Sequence, residues 1–304
     1  MPPFLAYDDN ARQTPHNPHT PRHPLPPALP LLLIHGHPFD RTMWQPQVAE
    51  FAPARRVVAP DLRGYGASPV TPGSTPLARF AADLEELLDA LDIGTCVVAG
   101  LSMGGQIAME CYDRLGPDRV RGLVLADTFP DPETPQGRRA RNAMADRLLS
   151  EGMRGYADEV LEKMVAPHAH PDVKAHVHRM MTATHPEGAA AALRGRAERP
   201  DYRPLLAGAT VPALIVVGAD DAYTPVSDAE AMHALLPDST LRIIDGASHM
   251  PNLEQPKEFN RALGEFLARL DEESRPPKAR QHPSQPARHL TTRPFSTHPN
   301  PPGI

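Results

Sequence analysis

Apolar residues along this chain fall into two kinds of pattern. Short, mainly apolar stretches stand at 31–34, 57–59, 96–99, 120–126, 213–217 and 241–244, and each predicts a strand. The first of them, Leu31-Leu32-Leu33-Ile34, is of the kind buried on both faces of a parallel sheet, where no polar face interrupts the run. Elsewhere apolar residues recur at helical spacing. Leu77, Phe80, Ala81, Leu84, Leu87, Leu88 and Leu91 predict a helix, with Thr75 as its N-cap and Pro76 in its first position. Phe259, Leu263, Phe266, Leu267 and Leu270 predict a closing helix over 257–270, and 106–115 reads as helical directly after the strand at 96–99. Residues 4–8 look like a first strand, placing the opening element within 1–9. From 129 to about 203 the strand signals vanish, and helix-forming sequence at 140–152, 156–165 and 173–182 takes their place.

The ends differ from the middle. The chain of 304 residues holds 38 prolines, more than double the usual ~5%, and many of them crowd near the termini beside histidines. The segment 10–28 and the tail 272–304 have little to bury, so neither can offset the entropy of ordering; a flexible segment and a disordered tail are expected. Proline-spaced His16, His19 and His23 in such a segment do not make a fixed metal shell. The length suits one or two domains with a full-sized core.

A net charge of −6 without a long basic run argues against nucleic acid or an anionic membrane as partner and in favour of a small organic molecule. Only two cysteines occur, Cys96 and Cys111, placed like small buried hydrophobes rather than as a disulfide framework. No apolar run is long enough to span a bilayer, and no signal-peptide pattern opens the chain, so a cytoplasmic protein is expected.

The chemistry concentrates at Val97-Val98-Ala99-Gly100-Leu101-Ser102-Met103-Gly104-Gly105. A buried strand runs into a serine flanked by glycines and then into a helix, the layout of a nucleophile elbow. The glycines are needed because the strained turn leaves no room for Cβ atoms, and the turn pushes the hydroxyl into the open. A serine is a weak nucleophile unless a base, itself oriented by a third group, takes its proton. A carboxylate and a histidine therefore belong further along the chain. Asp221 follows the run 213–217, and His249 follows the run 241–244.

With these residues the chain resembles the α/β-hydrolase superfamily, and within it the small esterases, 3-oxoadipate enol-lactonases and cofactor-free haloperoxidases. The resemblance is carried over roughly residues 29–270 by His35-Gly36-His37-Pro38, Asp61-Leu62-Arg63-Gly64-Tyr65-Gly66-Ala67-Ser68, Gly100-Leu101-Ser102-Met103-Gly104-Gly105, Asp221 with Pro225, and Gly246-Ala247-Ser248-His249-Met250-Pro251-Asn252. It implies an α/β fold: a mostly parallel central sheet flanked by helices, with a core at 29–128 and 204–271 and a helical cap at 129–203. It implies Ser102 as nucleophile, His249 as base and Asp221 as acid, three residues after Gly218 and four before Pro225. Asp127, at the end of the run 120–126, is the alternative acid, since some relatives recruit theirs there. The backbone N–H groups of His37 and Met103 would form the oxyanion hole. His37 itself is not the base, for it precedes the serine and lacks a following acid motif. His35, Asp61 and Arg63 take structural roles. Some of the cap's apolar residues, among them Met144, Tyr156, Met164 and Met180, would line the acyl pocket, while His168, His170, His176, His178 and His185 make a solvated face rather than a zinc site.

The activity implied is hydrolysis of a carboxylic ester or lactone of a small organic substrate through an acyl-enzyme, with neither metal nor cofactor. Perhydrolases or haloperoxidases and carbon–carbon bond hydrolases share the triad and remain alternatives, although Leu101 stands where the haloperoxidases have phenylalanine. Haloalkane dehalogenases and epoxide hydrolases need an aspartate where Ser102 stands. From another class, small-molecule receptors keep the same residues but bind ligand without turnover. Oligomeric state and the acyl and alcohol groups stay open.

Overall fold

The computed structural model describes residues 4–11 and 28–274; the expectations for most of 10–28 and of 272–304 lie outside them. Seven strands form one sheet: β1 (Tyr7–Asp9), β2 (Leu31–Ile34), β3 (Val57–Pro60), β4 (Cys96–Leu101), β5 (Val120–Ala126), β6 (Ala213–Gly218) and β7 (Ser239–Ile244), in the order β1-β3-β2-β4-β5-β6-β7. Only β1 is antiparallel, pairing Tyr7 with Pro60, and every other neighbour is parallel. The reason is visible in the strands themselves. In β2, Leu32 and Ile34 enter the core on one face while Leu31 and Leu33 enter the core on the other, and β4 and β6 divide in the same way. A strand with no polar side must be covered on both faces, which parallel strands joined by helical crossovers achieve.

The helices, in chain order, are α1 (Gln45–Phe51), α2 (Leu77–Ala90), α3 (Met103–Arg119), α4 (Pro135–Glu151), α5 (Arg154–Met164), α6 (Pro171–Ala183), α7 (Pro186–Arg196), α8 (Arg203–Ala207), α9 (Val226–Leu235), α10 (Pro251–Glu254) and α11 (Pro256–Glu273). On one face, Phe80, Leu84 and Leu88 of α2 pack with Ile107 and Cys111 of α3 and Met232 of α9. On the other, Phe259, Leu263 and Leu267 of α11 pack with Phe51 of α1, and Val160 and Met181 of α5 and α6 join them. Helices α4 and α7 close a smaller cluster of their own around Leu148, Ala190 and Leu193. Cys96 and Cys111 are buried and unbridged, as expected.

Three details depart from the sequence expectation. The first strand begins at Tyr7 rather than Phe4, because the Ala6 N–H is taken by the Ser68 hydroxyl at 2.9 Å and the ladder to β3 starts one residue later. Pro76, not Thr75, is the N-cap of α2; Thr75 turns its N–H to the Ala191 carbonyl at 2.9 Å instead. Helix α7 was not foreseen. It is buried around much of its circumference, from Gly188 through Leu193, so its small residues show no contrast between an apolar and a polar stripe.

The chain order crosses the sheet in a way that fixes where a ligand can enter. β2 lies between β3 and β4, so the loops leaving β2 and β4 diverge at their carboxyl ends and open a crevice there. Phe80, fully buried between α2 and the sheet, tests the packing that holds this arrangement. Phe80→Ala should cost about 3–5 kcal/mol, read as a lowered urea midpoint with an unchanged denaturant slope.

Candidate active site

At the end of β4 the backbone turns through Ser102 with φ 57° and ψ −117°, a region an L-residue occupies only when its surroundings hold it there. A Cβ on Gly100 would overlap the Gly104 carbonyl, and a Cβ on Gly104 would overlap the Ile34 carbonyl. The first turn of α3 therefore lies directly on the end of β2. Two hydrogen bonds pin the bend: the Ser102 N–H donates to Ala126 O at 2.9 Å, and the Thr128 hydroxyl donates to Ser102 O at 2.8 Å. The Ser102 side chain stays half-buried rather than fully enclosed.

The loop after β2 passes beside it, since a Cβ built on Gly36 would lie 3.4 Å from that of Ser102. The N–H of His37 in this loop and the N–H of Met103 at the start of α3 donate to no acceptor among the described residues. Met103 is moreover the first residue of a helix, where free N–H groups and the positive end of the helix dipole coincide. The His37 ring shares a hydrogen bond of 2.7 Å with the Tyr65 hydroxyl through Nδ1. Burial, and then the charge of Arg196, push this ring well below the ordinary histidine range, so it is neutral near pH 7. His35 accepts the Leu62 N–H at 2.9 Å through Nε2. Asp61 gathers the N–H groups of Arg41 and Ala67, at 2.9 and 2.8 Å, and Arg63 pairs with buried Asp83. All three brace loops.

Asp221 leaves β6 and His249 leaves β7, so both reach the same carboxyl edge as Ser102. His249 Nδ1 and Asp221 Oδ2 are 2.8 Å apart. The N–H groups of Tyr223 and Thr224 donate to Asp221 Oδ1 at 2.8 and 3.2 Å, and the Thr224 hydroxyl donates to Oδ2. Burial alone would raise the Asp221 carboxyl. The hydrogen bond and charge of His249, with the Thr224 and Tyr223 donors, more than reverse this and keep it below the usual carboxylate value. Asp220 is a loop residue with an exposed side chain.

Asp127, the alternative acid, also comes close: a ligating atom from each of Asp127, Asp221 and His249 lies within 4.8 Å of the others. Its Oδ1 is spent on the Gly218 N–H at 2.9 Å, however, and His249 is bonded to Asp221. Burial, and then the charge of Asp221, push Asp127 well above the usual carboxylate range. Two like charges this close do not both ionise cheaply.

Glu254 was missed in the sequence. One oxygen accepts the N–H groups of Ser248 and Met250, at 3.0 and 3.1 Å, on either side of His249, and the other accepts the Ala166 N–H at 2.7 Å. Nothing but its place five residues past His249 could have signalled this. Of the histidines of 168–185, His168, His170 and His185 are exposed and His176 and His178 half-buried; His178 pairs with Asp158 at 2.6 Å, and His170 and His185 cap α6 and α7.

Residues 31–262 match the family described as the alpha/beta hydrolase family. The chain belongs to it. Among alpha/beta hydrolases, 3-oxoadipate enol-lactonase 1 of Acinetobacter baylyi is 32% identical over 75% of this chain and 84% of that protein. A pimeloyl-[acyl-carrier protein] methyl ester esterase of Chromobacterium violaceum is 34% identical over 68% of this chain and 82% of its own length. A thermophilic esterase of Thermogutta terrifontis superposes with a TM-score of 0.80 at 36% identity, covering 88% of this chain and 94% of that one.

The raised carboxyl of Asp127 has a consequence for stability. A carboxyl with a raised folded-state pKa favours folding below the unfolded value and loses that contribution as pH rises through the folded one. Asp127→Asn removes the liability while keeping an acceptor for the Gly218 N–H. Its melting temperature should match wild type near pH 4 and exceed it by a few degrees at pH 8, as followed by thermal denaturation across that range.

Proposed function

We propose that the protein is a serine hydrolase that cleaves a carboxylic ester or lactone of a small organic substrate through an acyl-enzyme. The observation that carries this reading is the buried His249–Asp221 hydrogen bond of 2.8 Å, set at the same edge of the sheet as a serine held at φ 57°. In the first half-reaction His249 takes the proton of Ser102 through Nε2 as the hydroxyl attacks the acyl carbon. Asp221, kept ionised by its surroundings, holds the ring by Nδ1–H and stabilises the imidazolium. The tetrahedral oxyanion is received by the N–H groups of His37 and Met103, each worth ~3 kcal/mol of transition-state stabilisation where such donors have been removed. The imidazolium then protonates the leaving oxygen, and water, activated by the same ring, releases the acid and restores Ser102.

The relatives named as enol-lactonase and methyl ester esterase support this substrate class. The segment 129–203, tied to the loop after β2 by the Thr184 hydroxyl donating to Pro38 O at 2.9 Å and to α10 by the Ala166 N–H donating to Glu254 at 2.7 Å, acts in this reading as a cap. The same reading has the protein working in the cytoplasm on a dissolved small molecule, with a net charge of −6 that does not favour nucleic acid. Among the described residues, no helix is long and apolar enough to cross a membrane.

A panel of p-nitrophenyl esters of rising chain length, run beside enol-lactones and a peracid assay, separates hydrolase from perhydrolase. Ser102→Ala should abolish ester turnover without changing the circular dichroism spectrum, and substantial activity in the folded variant would refute the assignment. Asp221→Asn should lower kcat on the order of 10⁴-fold, as expected when the base loses its orienting carboxylate. Asp127→Asn should stay within about tenfold of wild type, since another residue already fills that role. A crippled Asp127→Asn enzyme with an intact Asp221→Asn enzyme would reverse the choice of acid.

A further inference from the structure

The loop that carries His249 is held by two kinds of bond. The first kind is main chain on main chain. The Asp220 N–H donates to Ala247 O at 3.0 Å, and a Cβ on Gly218 would overlap the Ser248 carbonyl, so the loop rests directly on the end of β6, the strand that leads to Asp221. The second kind comes from one side chain. The N–H groups of Ser248 and Met250, the residues on either side of His249, both donate to Glu254 Oε1, at 3.0 and 3.1 Å. Ser248 and Met250 are buried, so these N–H groups have no water to fall back on.

The same carboxylate reaches a distant part of the chain. Its Oε2 accepts the N–H of Ala166, a buried residue just past α5, at 2.7 Å. Other contacts run alongside this one. The Ser248 hydroxyl lies 3.4 Å from Lys163 O, and His168 Nε2 lies 3.2 Å from Gly246 O, while Met164 and Val165 pack in the same apolar cluster as Met250 and Leu253. Segment 163–168 is thus seated on the histidine loop, and Glu254 is the group that both share. Holding the loop closed would take only one of its oxygens. Both are in use, and removing the side chain takes the acceptor from three N–H groups at once, each costly to leave buried and unmet.

A base transfers a proton efficiently only when its ring is held in line with the groups it serves. Asp221 holds the His249 ring at Nδ1, but the backbone from which the ring hangs needs a hold of its own. We propose that Glu254 is a positioning residue: it fixes the main chain on both sides of His249 and ties it to segment 163–168, so that the orientation of the imidazole depends on that segment being seated. Glu254 acts through His249 and not on the substrate. Glutamate suits the task because each carboxylate oxygen accepts more than one N–H. Glutamine would offer one accepting oxygen and turn an amide donor toward another donor, and aspartate is one methylene short of spanning both arms. The inference rests on the serine hydrolase reading, in which His249 is the base.

The test uses the full chain and two readouts: kcat and KM for the p-nitrophenyl ester that wild type cleaves fastest, and the downfield proton resonance of the His249 Nδ1–H, assigned by its loss in His249→Ala. Glu254→Ala should lower kcat per folded molecule roughly 10- to 100-fold, the scale of a small misplacement of a reacting group, with KM changed less, and should shift or broaden the resonance. Glu254→Gln should fall between wild type and Glu254→Ala in both readouts, since it keeps an acceptor for the two N–H groups beside His249 and loses the one for Ala166. A kcat that falls only with the folded fraction, while the resonance of the folded molecules stays in place, overturns the inference. So does a Glu254→Gln enzyme equal to wild type or no better than Glu254→Ala. Should Glu254→Ala not fold, Glu254→Asp takes its place: a lowered kcat with a shifted resonance upholds the inference, and wild-type values of both refute it. Should no ester be turned over, the hydrolase reading fails, and the resonance alone decides whether Glu254 orients the ring.

Discussion

At Gly104 the first turn of α3 rests on the carbonyls of Ile34 and His35 with no space for a side chain between them. That contact sets the height of the helix over the sheet and the bend at Ser102. It also brings two loops of different origin, one after β2 and one after β4, within reach of a common atom. A serine elsewhere on a helix would present its hydroxyl to whatever surface the helix happened to face. Here the strain at φ 57° is sustained by parallel strands that are themselves locked by packing on both faces, so the active geometry inherits the rigidity of the core.

Electrostatically the site is divided. Asp127 and Asp221 stand close together yet differ: burial, and then the charge of Asp221, raise Asp127, while His249, Thr224 and Tyr223 hold Asp221 below its usual value against its own burial. The lowered one is bonded to His249; the raised one is spent on the Gly218 N–H.

Much of this was legible in the sequence, and the physical reasons differ from residue to residue. β2, β4 and β6 were plain because strands without a polar face leave unbroken apolar runs. Asp221 and His249, joined by a hydrogen bond of 2.8 Å, could be picked out because they follow strand ends, where spacing from Gly218 and Pro225 can be counted, and Ser102 because the bend at φ 57° needs its flanking glycines. β1 slipped by three residues at its start because its boundary depends on the Ser68 hydroxyl, sixty-two positions away. Glu254, and Gln106 with Arg196, whose Nε donates to the Gln106 Oε1 at 3.2 Å, left no trace. Each acts through a contact between distant segments, and a lone polar residue on a helix looks the same in sequence whether it faces water or a buried charge.

The glycines that seat α7, Gly188 against the Gly64 backbone and Gly195 against the Thr75 carbonyl, bear on how such a protein can diverge. Where backbone meets backbone, insertions and larger residues are excluded, and the helix cannot be re-registered a little at a time. What can change is the side chain at its end. A lineage that keeps Gly188 and Gly195 can therefore exchange the residue at 196 as a single step while the frame that holds the helix descends unchanged.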